Sequence, residues 1–265
     1  MIDYRTEWYG KYKTLEHYQD FDTRDMTFWE MSYGDRFLEI ARLMPTEKLM
    51  DGMTLLDIGC GTGRAMEHFS KHRIDCTGVE PSREASGVAM VKGFKVFPCK
   101  IEEVETRITY DIINIEQVLS HMPNYKEALS KARELLNDDG ILIVEEPNDY
   151  NPLQLKVGKG PYWVTEDHAN YFNYKTMREA LNEAGFEVIY ITCTYPMELF
   201  ELSGREYIGD DKAGAWFHKE AAELLNRMGY ELRRELLEKY AEIGIGRDLV
   251  MLARKTGKKG VSDGQ

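Results

Sequence analysis

The segment LLDIGCGTG, residues 55 to 63, concentrates the residue types from which a ligand site is built. Glycines at 59, 61 and 63 leave a stretch of backbone without Cβ atoms, so the chain can turn sharply and approach a ligand closely. A dinucleotide fingerprint G-x-G-x-x-G requires Gly or Ala at position 64. Arg64 stands there, which weakens a pyrophosphate-binding reading. What remains is G-x-G-x-G preceded by Asp57. Glu80 follows 23 residues after Asp57, at the expected end of a strand. A carboxylate there accepts hydrogen bonds from both hydroxyls of a ribose and repels a 2′-phosphate. His121 and His168 offer a second chemistry, since a histidine near neutral pKa suits general-base work. Each has a purely structural alternative: a hydrogen-bonded histidine at a helix start for His121, and a loop-fixing hydrogen bond for His168. His17, His68, His72 and His218 read as surface residues.

These residues must be carried by a recognisable set of elements. Between Met53 and Glu146 short apolar runs alternate with amphipathic stretches, the pattern of βαβ units and a parallel sheet. The runs are MTLLDI (53–58), CTGVE (76–80), KVFPC (95–99), DIINI (111–115) and ILIVE (141–145). Helices are expected over 64–72, 82–92 and 125–136. In the last, Ala128, Leu129, Ala132, Leu135 and Leu136 recur at three- and four-residue spacing. Asn137 to Gly140 supply turn chemistry before the fifth run. Beyond Pro147, NDYNPLQLKVGKGPYW reads as a loop, KTMREALNEAG as a helix with Gly185 at its C-cap, and FEVIYITCTY as a strand. Residues 197 to 243 are helical in pattern, and RDLVMLARK (247–255) is a last strand. Both His121 and His168 then follow strands, where open α/β sheets bind ligands.

With those motifs in order, residues 50 to 193 resemble the class I S-adenosylmethionine-dependent methyltransferases of the bacterial small-molecule type. LLDIGCGTG is similar to that family's first motif and GVEPS to its acidic second. YDIINIEQVLSHM and LLNDDGILIVEEPN are similar to its fourth- and fifth-strand segments, and DHANYF followed by MREALNEAGFEV to the end of its domain. The resemblance implies an α/β fold with a Rossmann-like, seven-stranded, mostly parallel sheet and helices on both faces. The last strand would be antiparallel, with a helical insertion between the last two strands. Read from the residues themselves, 1–50 are an amino-terminal helical cover over the sheet edge, about 197–243 a helical insertion between two neighbouring strands and 256–265 a flexible tail; the resemblance makes 51–255 the methyltransferase domain. It further implies that Asp57 and the turn Gly59, Cys60, Gly61 and Gly63 hold the methionine portion of S-adenosylmethionine, with Glu80 on the ribose. Pro81 and Ile101 would lie on the adenine faces and Glu116 beside the methionine end. The family often has an acidic residue near the adenine amino group; Lys100 stands there, with Glu102 as the substitute. Arg24 or Arg36 would pair with the methionine carboxylate, their alternative being surface charge.

Composition narrows the rest. The chain has 34 basic and 46 acidic residues, a net −12, which argues against a protein that grips nucleic acid or anionic membrane through its overall field. EEPN also lacks the N/D-P-P-Y/F signature of many amino-methylating DNA enzymes. The opening residues carry charges without an apolar leader, and no apolar run approaches a membrane span, so a cytoplasmic protein is expected. Four scattered cysteines, Cys60, Cys76, Cys99 and Cys193, suit reduced thiols, and no metal site is expected. The aromatic group Trp8, Tyr9, Tyr12, Tyr18, Phe21, Phe28, Trp29 and Tyr33 is either a lid over an acceptor or packing for the amino-terminal helices. The expected activity is methyl transfer to a small organic acceptor by in-line displacement, with S-adenosylhomocysteine as product. The alternatives are a silent cofactor-binding or scaffold protein and an NAD-dependent oxidoreductase; a dimer is open.

Overall fold

The computed structural model describes residues 26–159 and 168–257. Arg24, His17, the aromatic residues before Met26, part of the 148–163 segment and most of the expected tail lie outside the described residues. The elements run α1 (Met26–Leu43), α2 (Thr46–Asp51), β1 (Met53–Ile58), α3 (Arg64–Ser70), β2 (Ile74–Val79), α4 (Arg83–Val91), β3 (Lys95–Phe97), β4 (Tyr110–Glu116), α5 (Tyr125–Leu135) and β5 (Leu136–Pro147). There follow α6 (Pro152–Val157), α7 (Tyr174–Glu183), β6 (Phe186–Cys193), α8 (Glu198–Leu202), α9 (Asp211–Met228), α10 (Tyr230–Glu242) and β7 (Asp248–Lys255).

The seven strands form one sheet in the order β3-β2-β1-β4-β5-β7-β6. Pairing is parallel from β3 through β5, and β7 runs antiparallel to both β5 and β6. Strands buried on both faces read as continuous apolar runs. In β1, Leu56 and Ile58 join one core cluster while Met53 and Leu55 join the other. The strand order reverses between β1 and β4, so the crevice over their carboxyl ends is where this architecture receives ligands.

Four local expectations change. β5 starts at Leu136 rather than Ile141, and its register with β4 shifts between Leu136 and Ile141. Asn137 to Gly140 therefore form an irregularity inside the strand, with ladder pairs on both sides. α6 interrupts the expected loop, because Asn151 caps it by accepting from Leu153 N and Gln154 N, and Pro152 sits at its start. α1 packs over the centre of the sheet rather than its edge: Tyr33 and Ile40 share a cluster with Leu55, Ile112, Ile143, Val250 and Leu252. Finally, His68, His72 and His218 are half-buried rather than on the surface. Their rings lie 5.4, 3.9 and 4.6 Å from those of Tyr33, Phe37 and Phe28 on α1. Burial lowers the pKa of His68 to about 4.

Helices α8 to α10 are the insertion between β6 and β7. α10 lies on β6, and α9 packs against α1. Arg233 of α10 grips Asp35 of α1 with two bonds of 2.6 and 2.5 Å, and Arg234 donates to Glu39 at 2.6 Å. No helix among the described residues is long and apolar enough to cross a membrane.

Candidate active site

The glycine bend follows directly from β1. Gly59 N and Cys60 N both donate to Val79 O, at 2.8 and 3.1 Å, which ties the bend to the end of β2. Gly59 has φ +75°, and a Cβ built there would lie 2.4 Å from Cγ2 of Val118, so neither the backbone nor the space admits a side chain. Gly61 N donates to Glu80 Oε2 at 3.0 Å, and Ser82 N donates to Oε1 at 2.8 Å. Glu80 is thus buried at the tip of β2 with each oxygen fixed by one amide. A carboxylate has roughly four lone-pair positions, more than these two amides occupy. Asp57, at the end of β1, accepts from Asn114 Nδ2 at 2.8 Å. Burial pushes its carboxyl up to about 7 despite that bond, and the nearby Glu116 and Glu80 push the same way.

Beside the bend stands a charge cluster that joins three elements. Glu116 and Glu145 are register neighbours on β4 and β5. Two adjacent carboxylates repel unless a cation lies between them. Arg36 of α1 is that cation: its Nη1 donates to Glu116 at 2.8 Å and its Nη2 to Glu145. Tyr33 Oη and Arg64 Nη2 also donate to Glu116, at 3.0 and 3.2 Å, while the Arg64 guanidinium lies 3.7 Å from the Trp29 ring centroid. Burial alone would raise Glu116, but Arg36 and Arg64 outweigh it and hold this carboxyl below its usual range. Among the described residues Glu145 receives only Arg36. Burial pushes its carboxyl up, against the pull of Arg36 and with repulsion from Glu116 and Asp248 adding to the rise.

The two candidate histidines come together although 47 positions separate them. His121 ends a short 3₁₀ turn, Leu119–His121, and its ring centroid lies 4.7 Å from that of His168. Two devices hold this arrangement. Glu146, fully buried at the end of β5, accepts from the N–H groups of Val118, Leu119 and Ser120 at 2.8, 2.6 and 3.2 Å. Asn170 Nδ2 donates to the carbonyls of Leu119 and Met122 at 3.0 and 2.7 Å, and Ala169 N and Asn170 N donate to Ser120 O. Val118 links both halves of the site, since it packs on Gly59 and donates to Glu146. Gln117, between Glu116 and this turn, has φ +57°, a strained value of the kind found at functional sites.

The profile of a family described as a methyltransferase domain matches residues 32–191. The chain belongs to this methyltransferase family. The match begins within α1, so the part of that helix that carries Arg36 lies inside the family's unit. Among curated relatives, the C-methyltransferase NovU of Streptomyces niveus is 28% identical over 147 residues, 53% of this chain and 34% of that protein. The (S)-coclaurine N-methyltransferase of Papaver somniferum is 34% identical over 120 residues, 40% of this chain and 34% of that protein. The chain thus spans about a third of the length of these two relatives. Among solved structures, the plantazolicin methyltransferase BpumL in complex with SAH superposes with a TM-score of 0.58 at 17% identity, covering 94% of this chain and 93% of that one.

Within this methyltransferase domain, Asp57, the glycine bend, Glu80 and Glu116 converge at the carboxyl ends of β1, β2 and β4. Pro81 is half-buried next to Glu80. Ile101 packs in the core with Val79 and Leu119, whereas Lys100 and Glu102 on either side are exposed. Arg36 is buried and engaged by two protein carboxylates, neither a surface charge nor a free partner for a ligand carboxylate. Glu145, Glu146 and Asn170 escape sequence reasoning. The doubled acid in EEPN is the one local signal, because adjacent residues of a strand must face opposite sides of the sheet.

Proposed function

We propose that this chain transfers the methyl group of S-adenosylmethionine to a small organic acceptor, through oxygen, nitrogen or carbon, with S-adenosylhomocysteine as the second product. The observation that carries this reading is Glu80, buried at the tip of β2 and bonded to Gly61 N of a bend that admits no Cβ at Gly59. A ribose diol fits the acceptor capacity left on that carboxylate, and an amino-acid arm fits the bare backbone of residues 59 to 63. Pro81 would flank the adenine and Glu116 the methionine amino group, and Ile101 would support the adenine side from the core. The cofactor supplies a methyl group on a sulfonium, which an acceptor nucleophile displaces in line.

The residues of the chain align the reactants and exclude water, the main demands of such a displacement. His121 and His168, whose rings meet edge to face 4.7 Å apart, would take a proton from an acidic acceptor. The curated names C-methyltransferase and N-methyltransferase support a small organic acceptor and leave the methylated atom open. The bound SAH of BpumL supports the cofactor.

Titration calorimetry tests the reading. S-adenosylmethionine is expected to bind, and Glu80→Gln to weaken it by about tenfold or more, since a charge-assisted bond becomes a neutral one. No binding at millimolar S-adenosylmethionine, with NAD binding instead, would overturn it. A second reading, a binding protein without turnover, is favoured by one observation: Tyr33, Arg36 and Arg64 all converge on Glu116. It predicts cofactor binding with no methyl transfer to any acceptor in cell extract.

A further inference from the structure

The loop that leaves β5 is held by asparagines. Asn148 is fully buried and its Nδ2 donates to Gly244 O and Gly246 O at 3.0 and 3.1 Å, while Asn151 Nδ2 donates to Asn148 O at 2.9 Å. Between them, Asp149 is only 1% exposed, yet among the described residues neither of its carboxylate oxygens has a hydrogen-bond partner. Gln154, one turn into α6 and fully buried, has an amide whose nitrogen and oxygen are equally without partners among the described residues. Tyr150 follows Asp149 at φ +57° and is 48% exposed. A strained non-glycine residue and orphaned buried polar groups in one short loop are costly, and such features cluster where ligands bind. The Arg247 charge offsets only part of the desolvation, and the Asp149 carboxyl is pushed up to about 6.

The loop lies against the histidine pair. Asp149 N donates to Phe172 O at 2.6 Å. The Tyr150 ring is 6.1 Å from Tyr171, Tyr171 is 5.9 Å from His168, and His168 is 4.7 Å from His121. A buried carboxylate without a hydrogen-bond partner is complemented best by a cationic donor, and a row of rings by a flat apolar body.

We infer that Asp149 anchors the acceptor: its carboxylate binds the ammonium group of an aromatic amine whose ring lies along Tyr150, Tyr171 and the two histidines. The word acceptor rests on the methyltransferase reading above; the amine site itself does not. The test uses tyramine, p-cresol and 4-hydroxyphenylacetate, which share a phenol ring and differ in charge, each titrated into protein with and without saturating S-adenosylhomocysteine. Tyramine is expected to bind about tenfold or more tighter than p-cresol, and Asp149→Asn to bring the two within about threefold. Equal binding of the three, binding of none, or discrimination that persists in Asp149→Asn would overturn the anchor. A second readout needs no ligand. At about pH 8, where the carboxyl is ionised, the unliganded Asp149→Asn and Gln154→Leu variants are expected to melt at or above the wild-type temperature, because the first removes a buried charge and the second an orphaned buried amide. A clear drop in both would mark them as structural and contradict the inference. Tyramine discrimination without S-adenosylhomocysteine binding would sink the methyltransferase reading alone, and the converse would sink the anchor alone.

Discussion

At the scale of single residues, the site is a set of carboxylates whose protonation is fixed by what surrounds them. Asp57 is held near 7, above its ordinary 3.8, by burial. The folded chain therefore binds this proton more tightly than the unfolded chain does. Its contribution to stability is complete below the ordinary carboxylate range and is lost as pH rises through about 7. Glu146, pushed by burial to about 7, acts in the same direction. Urea unfolding at about pH 5 and about pH 8 is expected to show wild-type stability falling with pH, and falling less in Asp57→Asn, which keeps the bond from Asn114. Equal slopes would contradict the raised carboxyl.

Gly59 gives a second prediction at this scale. Gly59→Ala should cost roughly 2–5 kcal/mol, from a left-handed backbone and an overlap with Val118. Val118→Ala in the same chain should recover the overlap but not the backbone share, as read by chemical denaturation. The glycines and Glu80 were legible in the sequence because their spacing and position at strand ends are local. The orphaned Asp149 was not, because partnering depends on residues far along the chain.

At the scale of elements, α1 is the piece whose role sequence alone understates. That residues 1–50 carry a helix was legible, but Arg36 meets Glu116 and Glu145 across 80 and 109 positions, and no local pattern announces that. The same holds for Asn170, whose clamp on the 119–122 turn brings His168 to His121. By contrast β1 spans the same residues as its apolar run, Met53 to Ile58. β5 extends beyond its apolar run, because the turn chemistry of Asn137 to Gly140 is absorbed by the strand as an irregularity. Arg36→Ala should destabilise the fold by about 3–5 kcal/mol, since it leaves two adjacent buried carboxylates without their shared cation. Arg36→Lys should recover less than half, because a single ammonium cannot replace a fork that reaches both. Thermal and urea unfolding check both variants, and a full recovery by lysine would contradict the bridging geometry.

At the scale of the whole molecule, the insertion and the amino-terminal helix form one roof, with α9 against α1, α1 over the centre of the sheet and α10 on β6. The seven strands and the place of the insertion were legible from the alternation of apolar runs and helical stretches. That α9 and α10 grip α1 was not, since Asp35–Arg233 and Glu39–Arg234 join regions about 200 positions apart. Arg233→Ala is expected to raise hydrogen exchange across residues 26–43 while leaving β1 and β4 protected. Uniform exchange in both regions would show that the roof and sheet open together.

The most direct measurement is a crystal structure of the protein with S-adenosylhomocysteine. Both ribose hydroxyls are expected within about 2.6–3.2 Å of the Glu80 carboxylate, with the Gly61 bond retained and the amino-acid arm crossing residues 59 to 63. A nucleoside bound elsewhere, or Tyr33, Arg36 and Arg64 unmoved over an empty bend at millimolar ligand, would contradict the assignment.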